Sequence, residues 1–183
     1  MEAFQVRVKG TRPLLQHSPL GMAKARQRGS GIPEPADEAE NGLYRTTEGT
    51  IYEPAQHLLS ALRKVGGDYK VPGRGRKTFQ GYIFSGVGIQ PFQIPLLGGE
   101  NGTAPTYEVD IQSAVIGRAR IMRARPRFDR WALEFRLEIL DPIVTPEIAR
   151  QLLADAGRFQ GLGDYRPLFG LFVVEGWEPV EEL

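Results

Sequence analysis

Apolar and polar side chains alternate at the start of the chain, with Phe4, Val6 and Val8 set against Gln5, Arg7 and Lys9. A period of two is that of a half-buried strand, one face in a core and one in water. The same alternation returns over 131–140, where Trp131, Leu133, Phe135, Leu137 and Ile139 oppose Ala132, Glu134, Arg136 and Glu138. Elsewhere the period lengthens. Pro54 suits the first position of a helix, and Ala55, Leu58, Leu59, Leu62 and Val65 then form an apolar stripe that stops at Gly66-Gly67. A second helix is expected with Thr145 as N-cap and Pro146 at its first position; Ile148, Leu152, Leu153 and Ala156 make its stripe and Gly157 ends it. Strand-like runs fall at 79–90, 107–116 and 118–125, with a last strand at Leu171-Phe172-Val173-Val174. A short hairpin is expected from Tyr44 through the turn Glu48-Gly49 to Ile51-Tyr52, and the acidic tail of Glu178, Glu181 and Glu182 is expected to fray.

The order strand, helix, strands, strand, helix, strand is the split βαβ pattern of α+β proteins, ferredoxin-like or RNA-recognition-like. Residues 12–42 show little periodicity, and a stretch this long is usually functional or mobile. That stretch follows directly on the first strand. The 183 residues suit one domain, 1–183, and the 41% hydrophobic share is enough for a core. No internal repeat is visible. No apolar run approaches about 20 residues, so no membrane partner is expected. The opening Met1-Glu2-Ala3-Phe4-Gln5-Val6 lacks the apolar region of a signal peptide. The absence of cysteine excludes disulfides, iron–sulfur clusters and thiolate zinc sites and fits a reducing compartment. These features point to a cytoplasmic protein.

The net charge of +1 hides a segregation of charge. An acidic segment carries Glu34, Asp37, Glu38, Glu40, Glu48 and Glu53, and basic runs follow at 63–77 and 118–130. In the second run Arg118 and Arg120, then Arg123, Arg125 and Arg127, are spaced by two, which on a strand stacks side chains on one face. Only Asp129 and Glu134 are acidic neighbours in sequence, so the ladder suggests a polyanion ligand; the alternative is a solvated edge that deters strand pairing. The loop at 66–78 adds Lys70, Arg74, Arg76 and Lys77. A third cluster is Gly161-Leu162-Gly163-Asp164-Tyr165-Arg166-Pro167-Leu168-Phe169-Gly170. Its glycines either let backbone N–H groups converge on an anion beside Arg166 or serve a plain helix-to-strand connection. Tyr69 and Phe79 flank the basic loop, and Tyr165 is the ring best placed to stack on a base. His17 and His57 are candidates for acid–base chemistry on RNA. Asp37 heads the carboxylates in the insertion, but nothing in the spacing specifies a metal, and neither metal nor cofactor is expected.

Three segments carry a family resemblance. The first strand ends in Thr11-Arg12-Pro13-Leu14-Leu15; Gly49-Thr50-Ile51-Tyr52-Glu53-Pro54-Ala55-Gln56-His57-Leu58-Leu59-Ser60-Ala61-Leu62-Arg63 leads a short strand into a helix; and the glycine-rich loop precedes the last strand. Together they resemble the RAMP superfamily of CRISPR-associated proteins, most nearly its backbone subunits, although the serine usual in the second segment is absent. That resemblance implies RNA or single-stranded nucleic acid as ligand, held by its backbone, with head-to-tail copies and other effector subunits as partners, and it makes residues 16–42 a mobile insertion after the first strand. The phosphate contacts expected are Lys70, Arg74, Arg76, Lys77, Arg118, Arg120, Arg123, Arg125 and Arg166, with Tyr165 stacking. Two other readings stand beside it. One is a metal-independent endoribonuclease of the same fold using His17 or His57, or a target-cutting subunit using Asp37. The other is a self-assembling structural protein of a phage or mobile element, in which the acidic 34–53 segment of one copy docks on the basic 118–130 strand of the next.

Overall fold

A computed structural model describes residues 2–21, 23, 31, 33–99 and 103–181. Its core is one antiparallel sheet backed on one face by two helices. Strand β1 (Glu2–Gly10) lies at the centre, between β8 (Ala132–Ile139) and β9 (Phe172–Pro179). β4 (Val87–Gln90) and β5 (Gln93–Leu97) pair with the two ends of β8, and β3 (Tyr52–Pro54) closes the edge on β5. The spatial order β9, β1, β8, β4/β5 is that of a ferredoxin-like split βαβ core, so the α+β class read from the sequence holds.

The helices are those that the periodicity marks. α2 (Ala55–Val65) buries Ala55, Leu58, Ala61, Leu62 and Val65, with Pro54 as its N-cap and Gly66 as its C-cap. α4 (Pro146–Asp155) begins at Thr145, whose side-chain oxygen accepts from the Ile148 N–H at 3.3 Å, and buries Ala149, Leu152 and Leu153. Both pack on Phe4, Val6 and Val8 of β1 and Leu133, Phe135 and Leu137 of β8, all at most 7% exposed. The other face of the sheet is polar and internally neutralised. Arg7 pairs with Glu134 and Glu175, and Arg136 with Glu138 at 2.9 Å. No aromatic ring stands on that face of β1 or β8, so bases have no stacking platform there.

A second, three-stranded sheet projects from the end of β1 where Gly10 lies. β2 (Leu14–Leu15) pairs with β7 (Ala119–Phe128), which forms a long hairpin with β6 (Glu108–Ile116) turned at Gly117-Arg118. α1 (Pro35–Asn41) packs on β7. The expected hairpin at 44–52 is present, with Arg45 bridged to Ile51.

Four details differ from the sequence reading. Residues 79–86 form two helical turns, Phe79–Gly81 and α3 (Ile83–Gly86), because Phe79 and Ile83 recur at helical spacing and both point into the core. β5 was hidden by Pro91 and Pro95. The second helix does not end at Gly157; it continues as a wider turn, Ala156–Gln160, closed by the Gly161 N–H on the Ala156 carbonyl at 2.8 Å. Gly157 is instead a point of close approach, since a Cβ there would lie 2.3 Å from the Phe172 carbonyl. Glu178 pairs with Gln5 within β9, while Glu182 lies outside the described residues. The proposed insertion is partly ordered through α1, and its residues 22, 24–30 and 32 also lie outside them.

Candidate nucleic-acid interface and a two-histidine pocket

The structure divides the expected phosphate contacts between opposite ends of the core. Lys70, Arg74, Arg76 and Lys77 sit exposed in the loop after α2, with Lys70 and Arg74 beside the N-terminus of α4 and Arg76 and Lys77 beside Arg63. Lys70 and Arg74 rim a groove of about 470 Å³ whose floor is Val71, Phe79, Ile143 and Ile148. That end of the sheet holds Glu2 paired with Ile139. The hairpin, the glycine loop and both histidines lie at the other end, the length of β1 away, on the order of 30 Å for nine extended residues.

The arginine ladder splits by strand parity. The β6–β7 register is unbroken, so Arg120 projects from one face and Arg123, Arg125 and Arg127 from the other. Arg118 and Arg120 are exposed and, like the four cations of the basic loop and Arg166, have no acidic partner among the described residues. The other three do, which corrects the expectation of a ladder short of counter-charges. Arg123 pairs with Glu38 at 3.1 Å, and Glu38 also accepts from the Ala124 N–H at 3.0 Å. Arg125, 7% exposed, pairs with Asp164. Arg127 reaches Asp110 at 3.0 Å, Glu108 at 2.9 Å and Asp129 at 2.8 Å. These partners come from the cross-strand register and from segments distant in sequence, neither visible in local composition. The acidic and basic segments therefore do dock, but Glu38 meets Arg123 inside one chain.

The glycine loop is not an open anion cradle. The Leu162 N–H donates to the Gly170 carbonyl at 2.9 Å, Asp164 to Leu15 and Gly170 to Pro13, both at 2.8 Å. A Cβ on Gly163 (φ +75°) would lie 2.2 Å from the Leu15 carbonyl, and one on Gly170 (φ +78°) 1.8 Å from that of Leu162. The glycines thus allow the loop to press onto β2, which sets Asp164 and Tyr165 against the hairpin. Arg125 stacks on the Tyr165 ring at 5.1 Å, leaving one ring face at most for a base. Arg166 is exposed on the same loop.

The two histidines, forty positions apart in sequence, line one small cavity of about 160 Å³ together with Tyr44, Gly163 and Asp164. Glu53, fully buried at the entrance to α2, lies one helical turn before His57, and its Oε1 is 2.6 Å from His57 Nδ1. Its other oxygen accepts from Gln16 Nε2 at 3.0 Å. Gln16 is also fully buried; it donates to the Tyr52 carbonyl and accepts from the Tyr44 N–H at 3.1 Å. Tyr44 meets His57 edge-on, ring centroids 5.4 Å apart. Burial, and then the Arg125 guanidinium, lower the His17 imidazole below its ordinary value. Arg125 Nη1 is buried and without a hydrogen-bond partner. Sequence reading missed Gln16, Glu53, Tyr44 and Asp164. The Glu53–His57 spacing of four was the one legible signal. Asp37 is exposed on α1 and does not line the pocket, and among the described residues no three potential metal ligands converge.

No family model and no curated relative matches the chain by sequence. Solved structures do match by fold. A chain of the Type III-B Cmr-beta bound to cognate target RNA superposes with a TM-score of 0.59 at 10% identity, covering 98% of this chain. The present chain spans 61% of that one's length. Cmr6 from Pyrococcus furiosus superposes with a TM-score of 0.50 at 15% identity, over 93% of this chain and 97% of that one. At these identities the likeness is one of fold, and it is the RAMP-like fold that the three sequence segments resemble. Among the described residues no helix is long and apolar enough to cross a membrane.

Proposed function

We propose that the protein is a nucleic-acid-binding subunit of a CRISPR-type ribonucleoprotein, gripping the backbone of a guide RNA or another single strand without reading its sequence. The observation that carries this reading is the set of exposed, unpaired cations, Arg118, Arg120 and Arg166 at one end and Lys70, Arg74, Arg76 and Lys77 at the other. Arg7, Arg123, Arg125, Arg127 and Arg136 on the strands all have acidic partners within the chain, so among the strand and hairpin arginines Arg118 and Arg120 are the ones left to meet phosphates. The fold likeness to a chain of an RNA-bound assembly supports RNA as the polyanion. In this reading the partners are RNA, further copies arranged head to tail, and other effector subunits. The exposed apolar side of the hairpin, with Val109, Ile111, Val115 and Met122, supports a protein neighbour there.

Binding of a labelled single-stranded RNA over a range of salt tests it. Each phosphate neutralised adds about 0.7 to the slope of log affinity against log salt for a single strand. Arg118→Ala and Arg120→Ala are expected to weaken binding and flatten that slope without changing the melting temperature. Binding with no salt dependence, or equal affinity for a strand with an uncharged backbone, would sink the reading.

A further inference from the structure

We propose that Phe84 and Arg63 form a stacking seat for one unpaired base of the bound strand, with Arg76 and Lys77 taking the phosphates beside it. The proposal rests on the RNA-binding reading for its ligand and on these side chains for its chemistry. It puts the base on the helical side of the core, since the polar face of β1 and β8 offers no ring.

Burial decides which side chains point outward there. α2 turns Leu58, Leu62 and Val65 into the core, which leaves Arg63 of its last turn exposed. The helical turns at 79–86 bury Phe79 and Ile83, so Phe84, one position further on, meets solvent and is 57% exposed. A single exposed apolar side chain is ordinary by itself. This one carries a cation on its face: the Arg63 guanidinium carbon lies over the ring, 5.2 Å from its centre. Stacking of that kind leaves guanidinium N–H groups at the edge, free to donate to phosphate oxygens. Arg63 has no acidic partner among the described residues.

Arg63 also lines a concavity of about 590 Å³ with Arg76, Lys77, Thr78, Gln80 and Tyr82. The loop that supplies the other two cations is tied by its own backbone. The Val71 N–H donates to the Lys77 carbonyl at 2.9 Å, the Lys77 N–H to the Arg74 carbonyl at 3.2 Å, and Lys70 bridges to Thr78. Its positive charge is therefore held at the concavity instead of being spread over a loose chain. Cations without counter-charge beside a ring are what single-strand binders combine, phosphates on the cations and a base on the π-face. Only an unpaired, unstacked base presents that face. Thr78 and Gln80 each carry both donors and acceptors, so they tolerate any base edge. An acidic protein segment would also satisfy the cations, but the flat surface of ring and guanidinium favours a base.

The experiment measures binding of the full chain to a labelled single-stranded RNA of mixed sequence and to a ribose-phosphate strand of the same length without bases. Phe84→Leu keeps an apolar side chain and removes the ring. It is expected to weaken RNA binding by about 5-fold or more while leaving the salt slope and the affinity for the abasic strand unchanged. Arg63→Ala should weaken both strands and reduce the slope by about 0.7. Arg63→Lys should restore the slope but not the RNA affinity, because an ammonium cannot stack as a guanidinium does. RNA carrying 5-iodouridine, irradiated in complex with the unaltered chain, should crosslink to Phe84. The crosslink needs no variant, so it decides the matter even where a substitution lowers the melting temperature. RNA binding unchanged by Phe84→Leu, or a crosslink confined to other residues, overturns the seat and leaves the binding reading in place; the patch would then suit an acidic protein neighbour. Equal losses for the two strands in Phe84→Leu overturn stacking as the role of the ring. A chain that binds neither strand overturns the binding reading beneath it.

Discussion

Arg125 joins the hairpin to the glycine loop. Its ion pair with Asp164 closes the wall of the two-histidine pocket, its guanidinium covers one face of Tyr165, and one of its nitrogens is left without a partner. Shifted ionisations elsewhere in the chain predict how stability changes with pH. The phenols of Tyr44 and Tyr107 are both pushed up to about 12. Burial is the leading cause in each, followed for Tyr44 by the charge of Glu53 and for Tyr107 by its hydrogen bond to Glu40. Their unfolded counterparts ionise near the ordinary tyrosine value of about 10. Between these values the native state holds protons that the unfolded state has lost, so stability falls as pH rises from about 10 to about 12 and is undiminished below that window. His17 acts at the other end. Its folded value is lowered, so the unfolded chain binds a proton first, and stability is lost as pH drops below the ordinary value of 6.5. Urea unfolding across alkaline pH should show the upper loss, and Tyr44→Phe and Tyr107→Phe should each flatten it. An unaltered slope in both variants would refute the assignment.

The hairpin β6–β7 shows how one element can be both anchored and offered. Its odd-numbered arginines are fastened by Glu38, Asp164 and the acidic cluster of Glu108, Asp110 and Asp129, while Arg118 and Arg120 remain free at its tip. Stability and binding should therefore separate within the same strand. Glu38→Ala leaves a buried N–H and a guanidinium unpaired and is expected to cost about 1–3 kcal/mol in denaturant unfolding. Arg118→Ala and Arg120→Ala should stay within about 0.5 kcal/mol and weaken RNA binding instead. If Glu38→Ala left stability unchanged, α1 would not be what secures the hairpin. Much of this architecture was legible from local pattern. β1, β8, α2 and α4 announce themselves by period and by caps, because each buries one face against a single core. The parity of the ladder was also legible, since three positions separate Arg120 from Arg123. The counter-charges were not: Glu38 and Asp164 reach β7 only through tertiary packing. β5 was masked by prolines, and the pocket needed the fold to bring Gln16, Tyr44 and Glu53 to the histidines. Of the site, only the Glu53–His57 turn was written in spacing.

At the scale of the whole molecule the cations proposed to meet phosphate form two clusters with a neutralised sheet between them. A strand laid across the sheet would meet Arg7 already bound by Glu134 and Glu175, and no ring on that face of β1 or β8 on which to stack a base. A nucleic acid that uses both clusters must run past the core from the basic loop to the hairpin, a span on the order of 30 Å set by the length of β1. Oligonucleotide length then becomes the variable that tells the clusters apart. An RNA too short to bridge the span can engage one cluster at a time, so its salt slope should be shallow. Removing either cluster would leave it the other, and its affinity should fall only slightly. A longer strand should bind with a steeper slope, and replacing Lys70, Arg74, Arg76 and Lys77 with alanine should reduce that slope by about 0.7 for each phosphate no longer neutralised. Replacing Arg118, Arg120 and Arg166 should do likewise, and the two reductions should add, since sites this far apart share no partners. If the basic-loop substitutions left long-strand binding unchanged, that loop would not lie on the RNA path. Its apolar groove, rimmed by Lys70 and Arg74, would then be the surface to test for an acidic protein neighbour, with the hairpin end alone holding the strand.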